Sequence, residues 1–399
     1  ILRGRQLLIR LKSFHMDYSL FYYCNVVEWQ KKIYYKNKRL DLRKLSLITE
    51  TGHYSGSGFL PIDLNLLISN RADISTEPID FIFTGSTNSL EFLPQYFNII
   101  DSLTNSPSKT DTLNSYFIEL LLTGTLANPI RNGKVIIHNG TLFIDPINEP
   151  ITNLNGILSI RQNKLIIDNL TGNLRSGKKI GLMNMPILIN IKQLFTSIES
   201  ENQPNIRLSG SIDLEEFFKP NFAVHVTGEE ISLTSSYGLF TGIGSADISI
   251  TGQDTIFIVG EFIPAPYEFA ITSLGSETSY DIDNIYTNRV FSYNLHIPIK
   301  DGIKVETDNI NLLFDGDLSI TKLGDEDFNF SGKANIINGK FYDNQGNVFQ
   351  DTYGNILLSP IDNIPYIDIH AQTIIGDNII DVSFIGDTDD PVLIFDSQD

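Results

Sequence analysis

Residues 367–372 read IDIHAQ, and this stretch shows most clearly how the chain is built. Ile367 and Ile369 alternate with Asp368 and His370, so apolar and polar side chains project to opposite sides of an extended backbone. A period of two is typical of a β-strand with one apolar and one polar face. The same alternation recurs at Val135–Ile137, Phe222–Val226, Ile248–Ile250, Leu295–Ile299 and Leu318–Ile320.

The composition also favours strands over helices. The 399 residues include only eight Ala, the best helix former, but 25 Phe and 16 Tyr, which favour strands. Gly, Asn and Asp separate the alternating stretches, and Asn139-Gly140 is a strong signal for a hairpin turn. We therefore predict an all-β protein of roughly 25 to 35 strands, with a turn about every 8–12 residues.

Two stretches interrupt the alternation. Residues 90–103 and 189–200 place apolar residues at helix-like spacing, although Pro94 interrupts the first of them. They predict one or two short helices, and residues 104–112 are typical of a loop.

The composition excludes several classes of protein. A single cysteine, Cys24, rules out an intramolecular disulfide and a zinc site made of several cysteines. The net charge of −19 and the isoelectric point near 4.6 argue against a nucleic-acid-binding protein. No run of 18 apolar residues occurs, so we expect no membrane-spanning helix. Because the chain begins at Ile1 without a signal-peptide pattern, we expect an internal or C-terminal fragment.

Charge is divided unevenly along the chain. Residues 1–50 contain 11 Lys and Arg against 4 Asp and Glu, whereas the remaining residues contain 18 against 44. Two interpretations stay open for the basic end. It faces an anionic membrane surface or partner, or it is the solvated outer face of ordinary strands.

No motif for nucleophilic, phosphate-binding or metal-dependent chemistry is present, so we expect no enzymatic activity, no cofactor and no metal. Glycine pairs such as Gly56-Ser57-Gly58 are interpreted as turns. Acidic residues between Asp381 and Asp390 offer oxygen ligands for calcium, but without a calcium-binding repeat. Four histidines fall at polar-face positions of alternating strands and are expected to be solvated: His138, His225, His296 and His370.

Two regions carry motifs of a known family. Residues 123–181 contain Gly124-Thr125-Leu126, Asn128-Pro129, Gly133, Asn139-Gly140, Asn153-Leu154, Gly156, Leu165-Ile166-Ile167, Leu170 and Gly172. Residues 332–395 contain Gly332, Asn338-Gly339-Lys340-Phe341, Gly354-Asn355-Ile356, Pro365-Tyr366-Ile367, Ala371, Gly386, Asp389-Asp390-Pro391, Leu393 and Phe395. The first set resembles the repeat of AsmA-like envelope proteins. The second is similar to the C-terminal domain of the TamB family, the translocation and assembly module subunits of the bridge-like lipid transport superfamily.

The resemblance implies one continuous sheet that is a fragment of a longer chain. It covers about residues 120–399 and is looser before them. It implies AsmA-like repeats at residues 1–119 and 120–280, and a TamB-like C-terminal β domain at residues 281–399. The expected fold is an elongated sheet curled into a half-open groove, a β-taco, with an apolar inner face.

The same resemblance implies that the apolar members of the alternating strands contact acyl chains. An ordinary dry core would use the same pattern, because burial of apolar surface is non-directional. The expected lining residues are Val135, Ile137, Leu142, Ile144, Leu165, Ile167, Val224, Val226, Ile248, Ile250, Leu295, Ile297, Leu318, Ile320, Ile367, Ile369, Val382 and Phe384.

The implied function is the movement of phospholipids between the inner and outer membranes of a diderm bacterium. An alternative is a chaperone-like scaffold that assists insertion of outer-membrane proteins by β-augmentation near Asp381–Phe395. Implied partners are acyl chains, a TamA-like outer-membrane barrel, and the inner membrane through an N-terminal anchor, with no nucleic acid. The implied location is periplasmic. A third hypothesis, a secreted adhesin or polysaccharide-active enzyme, would need a carboxylate and aromatic cluster that the sequence does not show.

Overall fold

A computed structural model describes residues 26–49, 51–63, 73–88, 115–142, 150–175, 203–216, 219–234, 240–271, 290–306, 309–324, 326, 329–342, 346–359, 364–375 and 378–397. Within these residues the regular structure consists of strands and contains no helix, which confirms the all-β prediction. The predicted helices at 90–103 and 189–200, the loop at 104–112, Cys24 and Ile144 lie outside the described residues.

The described residues form nineteen strands, which the hydrogen-bond pattern assigns to one sheet. The strands are β1 (Val26–Lys36), β2 (Arg39–Thr49), β3 (Gly52–Pro61), β4 (Asp80–Thr87), β5 (Ser115–Gly124), β6 (Pro129–Leu142), β7 (Ile151–Arg161), β8 (Lys164–Asn173), β9 (Ile206–Asp213), β10 (Asn221–Thr234), β11 (Phe240–Gly252), β12 (Thr255–Ile271), β13 (Val290–Glu306), β14 (Ile310–Lys322), β15 (Asn329–Tyr342), β16 (Val348–Leu358), β17 (Tyr366–Ile375), β18 (Asn378–Asp387) and β19 (Val392–Ser397).

The chain divides into two compact units. The first comprises residues 1–142, 152–171 and 209–220, and the second comprises residues 143–151, 172–208 and 221–399. The domain boundaries at residues 119 and 280 stay predictions.

In the first unit, strands β1 to β6 pair in chain order, and each pair is antiparallel. One row of cross-strand partners runs from Leu45 through Gly56, Phe83 and Leu120 to Gly133. Glycine thus stands opposite large apolar residues. A Cβ on Gly56 would lie 2.8 Å from a ring atom of Phe81, so the missing side chain makes room for an aromatic ring.

In the second unit, strands β10 to β19 also pair in chain order. Their pairs are antiparallel except β12–β13, which is parallel and begins with Thr255 opposite Val290. A buried cluster forms where β13, β14 and β15 meet, and both Ile299 and Ile303 are less than 4% exposed in it. Its other members are Val305, Phe314 and Ala334.

The Asn-Gly turn prediction is wrong at Asn139-Gly140. Both residues lie inside β6, where Asn139 adopts a φ of 50° and keeps the strand continuous to Leu142. Gly332 likewise lies within β15 rather than at a strand end. Positive-φ residues inside β6 and β15 are therefore irregularities within continuous strands, and the longest strands reach 17 residues. The predicted turn spacing underestimates strand length for this reason.

Candidate functional site

The strand pairing of the second unit brings twelve of the predicted lining residues onto one side of its sheet. Because direct cross-strand partners share a face, the pair Val226–Ile248 is joined through Gly260 to Leu295 and then to Ile320. We call this side the apolar face. Its predicted members are Val224, Val226, Ile248, Ile250, Leu295, Ile297, Leu318, Ile320, Ile367, Ile369, Val382 and Phe384.

The apolar face continues through β15 and β16 to the last strands. Ala334 pairs with Ile356, which pairs with Ile367. One row further along, Ile369 pairs with Phe384, which pairs with Leu393. Each residue in these rows is small or apolar, so no charged side chain interrupts them.

Part of the apolar face is packed and part of it is accessible. Val382 is 1% exposed and Val224 is 8% exposed, and the cluster around Ile299 and Ile303 belongs to the same face. The other ten predicted members of this face are only half-buried. Half-buried apolar side chains still expose surface to water, so contact with another apolar group would bury that surface with a gain in free energy.

An aromatic group covers one end of the apolar face. The rings of Phe341 and Phe349 stack at 4.6 Å between centroids, and Phe384 meets them edge-on at 5.6 and 5.9 Å. The sequence pattern identified Phe384 but not the other two as face residues. The alternating pattern included Ile299 but missed Ile303, because an irregularity in register between them interrupts the period of two.

In the first unit, Val135 and Ile137 lie on one face of β6, opposite Ile118 and Tyr116 of β5. Ile137 is 7% exposed, and the hydroxyl of Tyr116, itself 2% exposed, accepts a hydrogen bond of 2.8 Å from the amide of Thr141.

The remaining predicted residues of the first unit are divided between two strands. Leu165 and Ile167 share one side of β8, where Ile167 is buried at 6% exposure and Leu165 is half-buried. Leu142 is the last residue of β6.

The opposite side of the second unit carries paired polar groups. His296 places Nδ1 3.0 Å from Glu261 Oε1 and Nε2 2.9 Å from Asp317 Oδ1. His225 lies 3.4 Å from Asp247, and His370 lies 3.1 Å from Asp368. These three histidines are therefore paired residues of the polar face rather than simply solvated ones. His138, on β6 of the first unit, is exposed.

An open depression of about 480 Å³ lies on this polar side. Lys304 and Lys340 line it together with Asp351, and three amide side chains, Leu313 and Gly339 complete its wall. Lys304 is already paired with Glu306 at 2.7 Å, so its charge is partly compensated.

Within the described residues no group of three or more His, Cys, Asp and Glu side chains is arranged so that it could hold a metal ion. Asp387, Asp389 and Asp390 occupy the end of β18 and the turn before β19, and Asp381 accepts a 2.9 Å hydrogen bond from Gln372. A search of the described residues for a helix long and apolar enough to cross a membrane finds none.

No known protein-family model and no curated protein sequence matches this chain.

Proposed function

We propose that this chain is part of a hydrophobic conduit that moves phospholipids between the inner and outer membranes of a diderm bacterium. The observation that carries the proposal is the half-buried apolar face of the second unit, on which twelve separately predicted residues share one side of the sheet. Such a face suits acyl chains because apolar contact is non-directional and contributes about 0.8 kcal/mol for each buried methylene. The TamB-like motifs support the same proposal.

A photocrosslinking experiment tests this function. A crosslinking amino acid replaces Ile369 on the apolar face, and the matched control places it at the adjacent His370 on the polar face. The chain is incubated with phospholipid that carries a labelled acyl chain. We expect labelled adducts at position 369 and a background level at position 370, because neighbouring strand residues point to opposite sides.

Equal labelling at positions 369 and 370 would contradict the conduit, and so would no labelling at either. The experiment is repeated at Ile297 and His296, which are neighbours on β13 and lie on its apolar and polar faces, respectively. The same result at this second pair would show that the labelling at position 369 is not a local effect of one substitution.

One observation favours the alternative of a scaffold for outer-membrane protein insertion. Strand β19 pairs along Ile380–Ile385 of β18, yet Val392, Leu393, Ile394 and Phe395 are 48–61% exposed. A short apolar strand with both faces open is suited to pairing with a strand of a client protein. If this function holds, proline in place of Ile394 abolishes client assembly and leaves acyl labelling at position 369 intact.

A further inference from the structure

The hairpin β1–β2 concentrates positive charge in an otherwise acidic protein. Its 24 residues from Val26 to Thr49 contain seven Lys and Arg but only two Asp and Glu, whereas the whole chain has a net charge of −19. We call this hairpin, Val26–Thr49, the basic hairpin. Its cations with exposed side chains are Lys32, Lys36, Lys38, Arg39, Arg43 and Lys44.

The strand register places like charges directly opposite each other in the basic hairpin. Lys32 pairs with Lys44, and Lys36 pairs with Arg39. Like charges in opposing positions destabilise an antiparallel ladder. Among the described residues no carboxylate forms an ion pair with Lys32 or Lys36, so the described part of the chain does not neutralise these two side chains.

Aromatic rings hold the two guanidinium groups on the same surface. The guanidinium carbon of Arg39 lies 3.3 Å from the ring centre of Phe59, and that of Arg43 lies 4.5 Å from the ring centre of Tyr34. Tyr34 is itself 38% exposed. Arg43 also lies 3.8 Å from Asp41, but both side chains are largely in solvent, where such a pair contributes little.

We infer that the basic hairpin binds the surface of an anionic lipid bilayer. A bilayer offers many phosphates without fixed geometry, which suits a diffuse set of cations, and Tyr rings are favoured at the level of the headgroups. A nucleic acid would need an extended basic footprint, whereas the cations of this surface are confined to one two-stranded hairpin. This inference concerns a different surface from the apolar face and does not depend on lipid transport.

Vesicle sedimentation with the full chain tests the inference. Vesicles of phosphatidylcholine with about a third phosphatidylglycerol are compared with pure phosphatidylcholine, at low and at high salt. The test variant combines Lys32→Gln, Lys36→Gln and Lys38→Gln, which keeps both arginine–ring contacts. The matched control combines Arg161→Gln, Lys164→Gln and Lys300→Gln, which removes three exposed cations elsewhere.

The unmodified chain is expected to bind the anionic vesicles only and to release them at high salt. Each basic residue near an anionic surface contributes about a fivefold gain in partition, so the hairpin variant should bind about a hundredfold more weakly. The control should stay within about twofold of the unmodified chain, because its cations lie outside the basic hairpin.

Three results would overturn the inference: equal binding to neutral vesicles, an equal loss in the control, or tighter binding to duplex DNA than to anionic vesicles. Acyl crosslinking at position 369 is measured on the same hairpin variant. Intact crosslinking with lost vesicle binding supports both proposals. Lost vesicle binding without crosslinking rejects only the conduit, and intact vesicle binding by this variant rejects the role of the basic hairpin.

Discussion

Asn163 shows how a single side chain holds together backbone segments that are distant in sequence. Its Oδ1 accepts hydrogen bonds from the amide of Arg131 at 2.7 Å and from the guanidinium of Arg131 at 3.3 Å, and its Nδ2 donates to the carbonyl of Pro129 at 3.0 Å. The amide of Leu214 in turn donates to the Asn163 carbonyl at 2.7 Å. Asn also tolerates the φ of 68° at this position better than most residues.

Replacing Asn163 with Ala should lower the free energy of unfolding by about 2–3 kcal/mol, since the partly buried amide of Arg131 loses its acceptor and Ala is strained at positive φ. Chemical denaturation measures the loss. Gln162→Ala is the matched control, because Gln162 lies in the same turn at a φ of 48° and only its backbone makes a described hydrogen bond. An equal loss in both variants would show that backbone strain, and not the side-chain bonds, decides the stability of the turn.

The buried hydroxyl of Tyr116 makes the stability of the fold depend on pH in the alkaline range. Burial raises the pKa of its hydroxyl above the ordinary value of 10.0, and the amide of Thr141, which stabilises the ionised form, opposes that shift. The pKa of Tyr293 is raised by burial as well. In the unfolded chain both hydroxyls therefore ionise at lower pH than in the folded chain.

A raised folded-state pKa contributes stability that is fully present below about pH 10 and is lost as the pH rises through the folded value. The double variant Tyr116→Phe and Tyr293→Phe should therefore lose stability less steeply above that pH than the unmodified chain. Urea denaturation at neutral and alkaline pH measures both slopes. Identical slopes would mean that neither hydroxyl ionises differently in the folded and unfolded states.

At the scale of strands, irregular residues lengthen the elements instead of ending them. Asn139, Asn153, Glu230 and Asp351 all have a φ near 50° and all lie inside strands. Around Glu230, the register between β10 and β11 shifts between Gly228 and Ile231. At such an irregularity one strand holds an extra residue, and the hydrogen bonds to the neighbouring strand continue on its far side. A sequence typical of a turn can therefore lie within one long strand.

Neighbouring strands β18 and β19 differ in burial, and identical substitutions can measure the difference. Val382 in β18 is 1% exposed and pairs with Ala371, whereas Val392 in β19 is 61% exposed. Val382→Ala should cost about 2 kcal/mol of unfolding free energy through lost burial and a residual cavity. Val392→Ala should cost less than about 0.5 kcal/mol. Thermal and chemical denaturation compare them, and equal costs would show that β19 is covered in solution.

At the scale of the whole molecule, the described structure separates three chemical surfaces by residue type. Half-buried aliphatic residues occupy the apolar face of the second unit, and paired histidines and carboxylates occupy its opposite side. Like-charge cations in directly opposed positions mark the basic hairpin of the first unit. A net charge of −19 on the chain makes this hairpin the natural place for contact with an anionic surface.

The sequence by itself determined that the protein is all-β and which side of each alternating strand is apolar, because a period of two is a local property of the backbone. It did not predict the long strands, the parallel pair β12–β13 or the carboxylate partners of His296. Those depend on register, which hydrogen bonds between residues far apart in the chain decide. Tertiary structure alone brought Lys32 opposite Lys44 and joined separate apolar stretches into one face, since cross-strand neighbours arise only once the ladder forms.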